Sequence, residues 1–247
     1  MSSPPSTATP PPKLGFRPLY QQVRDDFVQR LVDGRWTPGQ ALPSEMELAA
    51  EVGVSQGTVR KALDALANEN LVVRRQGRGT FVAEHDEARI LFQFFKIVPD
   101  KGESGFPASR ILSTERGAAT YAEAGVLGQP VGSPVLRIER VRSLGDRPVI
   151  VETVTLAETV FPGLGDGEIP NNLYSLYATR YGVTVAHAQE KLKAIALTAS
   201  DATALGVAAG HPALLIDRRA ISLDGTTAEW RVSRCLTDAH HYVSDLK

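Results

Sequence analysis

The chain has 247 residues, 43% hydrophobic and 22% charged, with a formal net charge of −1. That length allows one or two domains, and that composition excludes wholesale disorder. A single cysteine, Cys235, excludes an intrachain disulfide framework and a cysteine-based zinc site. No apolar run approaches the ~20 residues of a membrane-spanning helix, and the start, Met-Ser-Ser-Pro-Pro, has no basic or apolar leader character, so the cytoplasm is the expected compartment. The five histidines have no metal-ligand spacing, and neither a metal nor a cofactor is expected.

Residues 1–12 are rich in proline, serine and threonine and are expected to form a disordered tail. From Pro18, apolar residues Leu19, Val23, Phe27, Val28 and Leu31 recur at helical spacing, and Gly34 supplies a stop. Pro43 opens a second predicted helix, with Met46, Leu48, Ala49 and Val52 as its apolar positions and Gly53 as its end. Ser55 is an N-cap candidate for a third helix whose core face is Val59, Ala62, Leu63 and Leu66. Leu71-Val72-Val73 and Thr80-Phe81-Val82 flank the turn Gln76-Gly77-Arg78-Gly79 and predict a small hairpin. Three helices and a hairpin, with only Gly53-Val54 between the second and third helices, form a helix-turn-helix with a wing.

The near-neutral total hides a local basic patch. Between Val54 and Thr80, Arg60, Lys61, Arg74, Arg75 and Arg78 outnumber Asp64 and Glu69, an electrostatic footprint on an otherwise acidic chain. On the third helix, Ser55, Gln56, Thr58, Arg60 and Lys61 offer donors outward. The Gln56 amide suits adenine, the Ser55 and Thr58 hydroxyls suit phosphates, and Arg60 suits a phosphate or guanine. Gly57 lets a duplex come close to the backbone. Arg74, Arg75 and Arg78, around Gln76 and Gly77, sit on a turn slim enough for a minor groove. Each residue alone reads as a solvated surface group; the concentration of all of them in one stretch points to DNA.

Beyond a polar linker at 84–89 the pattern changes to strands at 90–98, 109–116, 134–143, 147–157, 185–197, 213–222 and 227–235, with helices at 118–124, 171–181 and 200–206. Consecutive hairpins with intervening helices predict an α+β domain around an antiparallel sheet. Three of these strands carry charge on their apolar side: Arg140 and Arg142 beside Leu136 and Ile138; Glu152 beside Ile150, Val154 and Leu156; Glu190 beside Ala186, Ala188, Leu192 and Ala194. Two readings stand at this point: a pocket for a small polar anion, or an internal ion-pair network.

The N-terminal residues Pro18-Leu19-Tyr20-Gln21-Gln22-Val23, Pro38-Gly39, Leu42-Pro43-Ser44-Glu45, Leu48-Ala49, Val54-Ser55, Thr58-Val59-Arg60, Ala62-Leu63 and Gly77-Arg78-Gly79-Thr80-Phe81-Val82 resemble the DNA-binding domain of GntR-family bacterial regulators over about 65 residues. The resemblance implies a winged helix-turn-helix over 13–83, a homodimer and a palindromic double-stranded operator, and it adds Ser44 and Glu45 to the DNA-facing set. Gln56 and Met46 stand where the family commonly has arginine, which suggests an unusual operator sequence; Asn70 replaces a glycine before the wing and tolerates a left-handed backbone.

Residues 90–247 resemble the UTRA effector-binding domain of the HutC-type branch. The resemblance rests on Val135 through Arg142, Val151-Glu152-Thr153, Phe161-Pro162-Gly163-Leu164, Ser175-Leu176-Tyr177, Tyr181-Gly182 and Pro212 through Ile216. It implies that Arg140, Arg142, Glu152 and Glu229 contribute to a small-molecule effector pocket. Tyr177 and Trp230 are candidates for stacking contacts there, or plain core. Cys235-Leu236 replaces the family's Tyr-Arg, which argues against a phosphosugar. That domain is similar in fold to chorismate lyase, but the DNA-binding half accounts for the chain as a ligand-responsive regulator, without catalysis.

Overall fold

The computed structural model describes residues 17–84, 94–102 and 105–244. The expected tail, most of the 84–89 linker and the first residues of the 90–98 strand lie outside the described residues.

The N-terminal elements are helices α1 (Leu19–Val32), α2 (Glu45–Val52) and α3 (Gln56–Asn68), then strands β1 (Val72–Arg75) and β2 (Gly79–Val82). Val23, Phe27 and Leu31 of α1, Leu48 and Ala49 of α2, and Val59, Ala62, Leu63 and Leu66 of α3 meet in one core, closed by Trp36 and by Leu71, Val72 and Val82 of the hairpin. Phe27 and Trp36 pack with ring centroids 5.1 Å apart. Ser44, not Pro43, sets the start of α2. Its hydroxyl accepts from the Glu47 backbone N–H at 3.2 Å, and the Glu47 carboxylate accepts from the Ser44 N–H at 2.8 Å, a reciprocal cap. Ser55 caps α3 in the expected way, accepting from Thr58 N–H. Between the two helices the chain turns at Gly53, whose φ of 68° lies in the left-handed region that a side chain disfavours. Asn70, entering the wing, is the only non-glycine with positive φ among the described residues. Two predicted core positions are wrong: Leu19 and Met46 are exposed, Met46 at 71%. Each lies in the first turn of its helix, before the helix meets its neighbours.

The remaining described residues form a six-stranded antiparallel sheet from β4 (Ala108–Ala118), β5 (Pro134–Leu144), β6 (Arg147–Ala157), β7 (Val185–Ala196), β8 (Pro212–Ser222) and β9 (Thr227–Cys235). A separate short ladder pairs β3 (Ile97–Pro99) with β10 (His240–Tyr242). The sheet order is β4-β5-β6-β9-β8-β7. Helix α4 (Tyr121–Leu127) follows β4, α5 (Leu173–Tyr181) follows β6, and α6 (Ala199–Leu205) follows β7. Leu173, Tyr174 and Tyr177 of α5 pack on Leu136, Ile138, Val154 and Leu156 on one face of the sheet. On the other, α4 packs on Val135 and Trp230, while α6 packs on Val141, Val151 and Ala213. The fold is α+β, as predicted. The strand that contributes Glu190 departs from expectation: residues 191–194, including Leu192 and Ala194, are exposed, because β7 is an edge strand and only its first half is covered.

Candidate nucleic-acid interface and effector cleft

The N-terminus of α3 and the wing form one exposed edge. Ser55, Gln56, Gly57, Arg60 and Lys61 are exposed on the helix and Thr58 is half-buried; Arg74, Arg75, Gln76, Gly77 and Arg78 are all exposed on the hairpin. Their inward neighbours Val59, Ala62 and Leu63 anchor the helix, so the amphipathic pattern aims the polar residues outward. A Cβ added to Gly57 would meet nothing nearer than Ser55 Oγ at 3.9 Å. Packing within the chain does not require a glycine there, whereas a close external surface would.

Glu45 ties this edge together. Arg60 donates from Nε to Glu45 Oε2 at 2.9 Å, and Arg74 donates from Nη1 to Glu45 Oε1 at 2.9 Å. Gln56 Nε2 lies 3.4 Å from Glu45 Oε2, and Arg74 also reaches Asp64 at 2.7 Å. One carboxylate from α2 therefore sets the spacing between the α3 arginine and the wing arginine. The Arg60 hydrogen bond, more than that of Arg74, holds the Glu45 carboxyl below the usual carboxylate range. Glu45 itself is half-buried, while the Arg60 side chain is 58% exposed. Ser44 is exposed at the start of α2, its hydroxyl engaged in the cap. Arg75 lies over the Phe81 ring at 4.7 Å, which steadies the base of the wing.

The second site lies under α5. Arg140, only 1% exposed, donates from Nε to Glu152 Oε1 at 2.6 Å and from Nη1 to the Asn171 carbonyl at 3.3 Å. Ser233 Oγ donates to Glu152 Oε2 at 3.0 Å. Arg231 grips Glu229 through two parallel bonds of 2.9 and 2.7 Å, and Tyr177 and Tyr174 donate to the same carboxylate at 2.8 and 3.3 Å. Arg218 pairs with Glu190 at 2.5 Å and also reaches the Phe94 carbonyl. Burial works against ionised Glu152, but the fields of Arg231, Arg140 and Arg142 outweigh it and hold the carboxyl well below the usual range.

Arg142 is different. It is 4% exposed, its Nη2 donates to the Pro107 carbonyl at 3.3 Å, and its Nε has no hydrogen-bond partner. Its guanidinium lies 5.4 and 5.3 Å from the ring centroids of Phe95 and Phe106. Desolvation, with Arg140, Arg231 and Arg218 adding to it against Glu152, pulls its pKa down to about 9. Arg140, Arg142, Arg218 and Arg231 line a tight cleft with about 20 Å³ of water-accessible space, with Tyr174 and Asn171 among the other walls.

The predicted strand faces place Arg140, Arg142 and Glu152 together, and Glu190, Glu229 and Tyr177 join the same network. Tyr177 stands behind Glu229 and does not line the cleft. Trp230 is a correction: it points to the opposite face of the sheet, packs beside α4, and donates its indole N–H to Asp217 at 2.7 Å. Its neighbours Glu229 and Arg231 alternate to the cleft side, so Trp230 does not line this cleft. Sequence reasoning missed Arg218, Arg231 and Ser233. The same alternation rule applied to the last two long strands finds them, since they interleave with Ile216, Ala220 and Cys235 on one buried face. Asn171, Phe95 and Phe106 sit outside regular strands and helices and carry no periodic signal. The two readings left open by the sequence both describe part of the site: three arginines belong to an ion-pair network, and the fourth does not.

Among the described residues, no group of three or more His, Cys, Asp or Glu side chains is arranged to hold a metal, and no helix is long and apolar enough to cross a membrane.

Residues 19–82 match the family described as bacterial regulatory proteins, gntR family, and residues 103–241 match the UTRA domain. The chain is 30% identical over 227 residues to the HTH-type transcriptional repressor NagR of Bacillus subtilis, covering 92% of this chain and 93% of that one. It is 29% identical to the histidine utilization repressor of Klebsiella aerogenes, covering 84% of this chain and 86% of the relative. Among solved structures, the ligand-binding domain of a GntR-family transcriptional regulator from Bordetella bronchiseptica superposes with a TM-score of 0.59 at 34% identity, over 63% of this chain and 98% of that one. PhnF from Mycobacterium smegmatis superposes with a TM-score of 0.54 at 26% identity, over 91% and 99% of the two chains. These matches are to a family of regulators rather than of enzymes: the chain belongs to the GntR family, in its HutC-type branch with a UTRA domain, and is a DNA-binding transcription regulator.

Proposed function

We propose that this regulator is a repressor that binds a palindromic operator as a homodimer in the cytoplasm and leaves it when a small anion occupies the cleft under α5. In this reading residues 13–83 are the DNA-binding domain, 84–89 the linker, and 90–247 the effector-binding and dimerisation domain. The observation that carries it is the edge organised by Glu45, where the outward face of α3 and the glycine-tipped wing present cations at a fixed spacing. Gln56 reads adenine through its amide, Arg60 and Lys61 meet phosphate or guanine, and Ser44, Ser55 and Thr58 bond phosphates beside helix N-termini. Gly57 admits the backbone of the duplex, and Arg74, Arg75, Gln76, Gly77 and Arg78 enter the adjoining groove. Glu45 acts by positioning, since a carboxylate cannot itself approach phosphates favourably. The repressor names of the relatives support the sign of regulation.

An effector at Arg142 relieves the cost of a buried, unmatched charge. By linkage, operator DNA then weakens effector binding by the factor by which effector weakens operator binding. The experiment is selection from a random duplex library with the full chain. The expected consensus is an inverted repeat whose half-sites lie one turn apart, about 34–36 Å. A consensus without dyad symmetry, or no enrichment, overturns the proposal.

A further inference from the structure

Gln56 is exposed in the first turn of α3, and its two amide atoms have different surroundings. Nε2 donates to Glu45 Oε2 at 3.4 Å, an oxygen that also accepts from Arg60 Nε at 2.9 Å. The opposite amide orientation sets a carbonyl oxygen against a carboxylate oxygen, acceptor against acceptor, and is unfavourable. Oε1 therefore points away from Glu45, and among the described residues no donor reaches it. Glu45 is itself held in place. Its side chain is only 16% exposed, and its other oxygen accepts from Arg74 Nη1 at 2.9 Å.

This arrangement changes what the amide offers to a base edge. A free glutamine grips adenine twice, accepting from N6 and donating to N7. With Nε2 turned to Glu45, only the acceptor remains. In the major groove the donors it can take are the amino groups of adenine N6 and cytosine N4. Guanine presents O6 and N7 and thymine presents O4, all acceptors, and each meets both Oε1 and the negative charge of Glu45 behind it. The neighbouring Arg60 has the opposite character, since a guanidinium only donates.

From this geometry we infer that Gln56 reads one position of each half-site as an acceptor alone, taking adenine or cytosine on the contacted strand and rejecting guanine and thymine, and that Glu45 is the positioning residue that sets this choice. The inference rests on α3 being the face that reads the operator. It widens the adenine contact to a single hydrogen bond that cytosine also satisfies.

Selection of random duplexes with the full chain, repeated with Gln56→Ala, Gln56→Arg and Glu45→Ala, tests it. In the parent, one position of each half-site is expected to hold adenine and cytosine within about threefold of each other, both favoured about fivefold or more over guanine and thymine. Gln56→Ala is expected to make all four bases equivalent at that position and at no other. Gln56→Arg replaces an acceptor by donors and is expected to turn the same position to guanine. Glu45→Ala releases Nε2, and adenine is then expected to lead cytosine there by about fivefold or more, through the restored second bond. The two Gln56 variants change an exposed side chain and carry the test by themselves if Glu45→Ala melts early. A position that responds to Gln56→Ala but holds adenine alone, guanine or thymine in the parent leaves α3 on the DNA and overturns the acceptor reading. An adenine–cytosine position that a folded Glu45→Ala leaves unchanged overturns the role of Glu45. If duplexes are enriched but no position responds to Gln56, the residue reads no base and the inference falls; if none is enriched, the operator-reading face falls with it.

Discussion

Glu152→Ala is expected to cost about 3–5 kcal/mol of stability, the usual penalty for stripping one partner from a buried ion pair. Glu152 accepts from Arg140 and Ser233 and lies 3.5 Å from Arg231. Without it, Arg140 keeps the Asn171 carbonyl as its one acceptor among the described residues while remaining buried. Trp36 and Trp230 are the only tryptophans, one in each half of the chain. Urea unfolding followed through Trp230 in a Trp36→Phe background therefore isolates the relevant half. A loss below about 1 kcal/mol contradicts the reading of this cluster as a tightly matched network.

The same carboxylate sets an acid limit. Its folded pKa is depressed, so its contribution is present above the unfolded value of about 4.3 and is lost as pH falls through the folded one. Glu123 adds to this limb. The Arg137 hydrogen bond, opposed by burial and helped by Thr120, lowers it to about 2. Stability should accordingly decline with acid below about pH 4, and the decline should be shallower in Glu152→Ala.

Arg60→Ala is expected to lower affinity for the selected operator by about 5- to 150-fold, equivalent to roughly 1–3 kcal/mol, and to reduce the salt slope by about 1. Folding should stay within about 0.5 kcal/mol of the parent, because the side chain is largely exposed and Glu45 keeps Arg74. Fluorescence anisotropy at several salt concentrations measures both quantities. Unchanged affinity removes Arg60 from the interface.

The pair of predictions marks where the sequence is legible. The DNA-facing edge is readable because helical periodicity separates Val59, Ala62 and Leu63 from Gln56, Arg60 and Lys61 within a single helix. What it cannot reveal is Glu45 as the hub, since the Glu45–Arg74 contact spans 29 residues and three elements. In the C-terminal half, strict alternation on β5 and β6 locates Arg140, Arg142 and Glu152, and each falls on the predicted face. Alternation fails on the outer half of β7, where an edge strand leaves Leu192 exposed despite its apolar side chain. It is silent on β10, whose His240-His241-Tyr242 is too short and too polar to alternate. Trp230 shows the converse error: a large aromatic beside a buried glutamate invites assignment to the same site, yet adjacent residues of a strand face opposite ways.

The central claim is that the segment from Ser55 to Lys61 and the wing from Arg74 to Gly79 are the surface that meets the double helix. Amide hydrogen exchange of the full chain, free and saturated with the selected duplex, tests it directly. The account predicts that new protection concentrates in those two segments. Protection that leaves both unchanged while another face of the molecule is covered would contradict it.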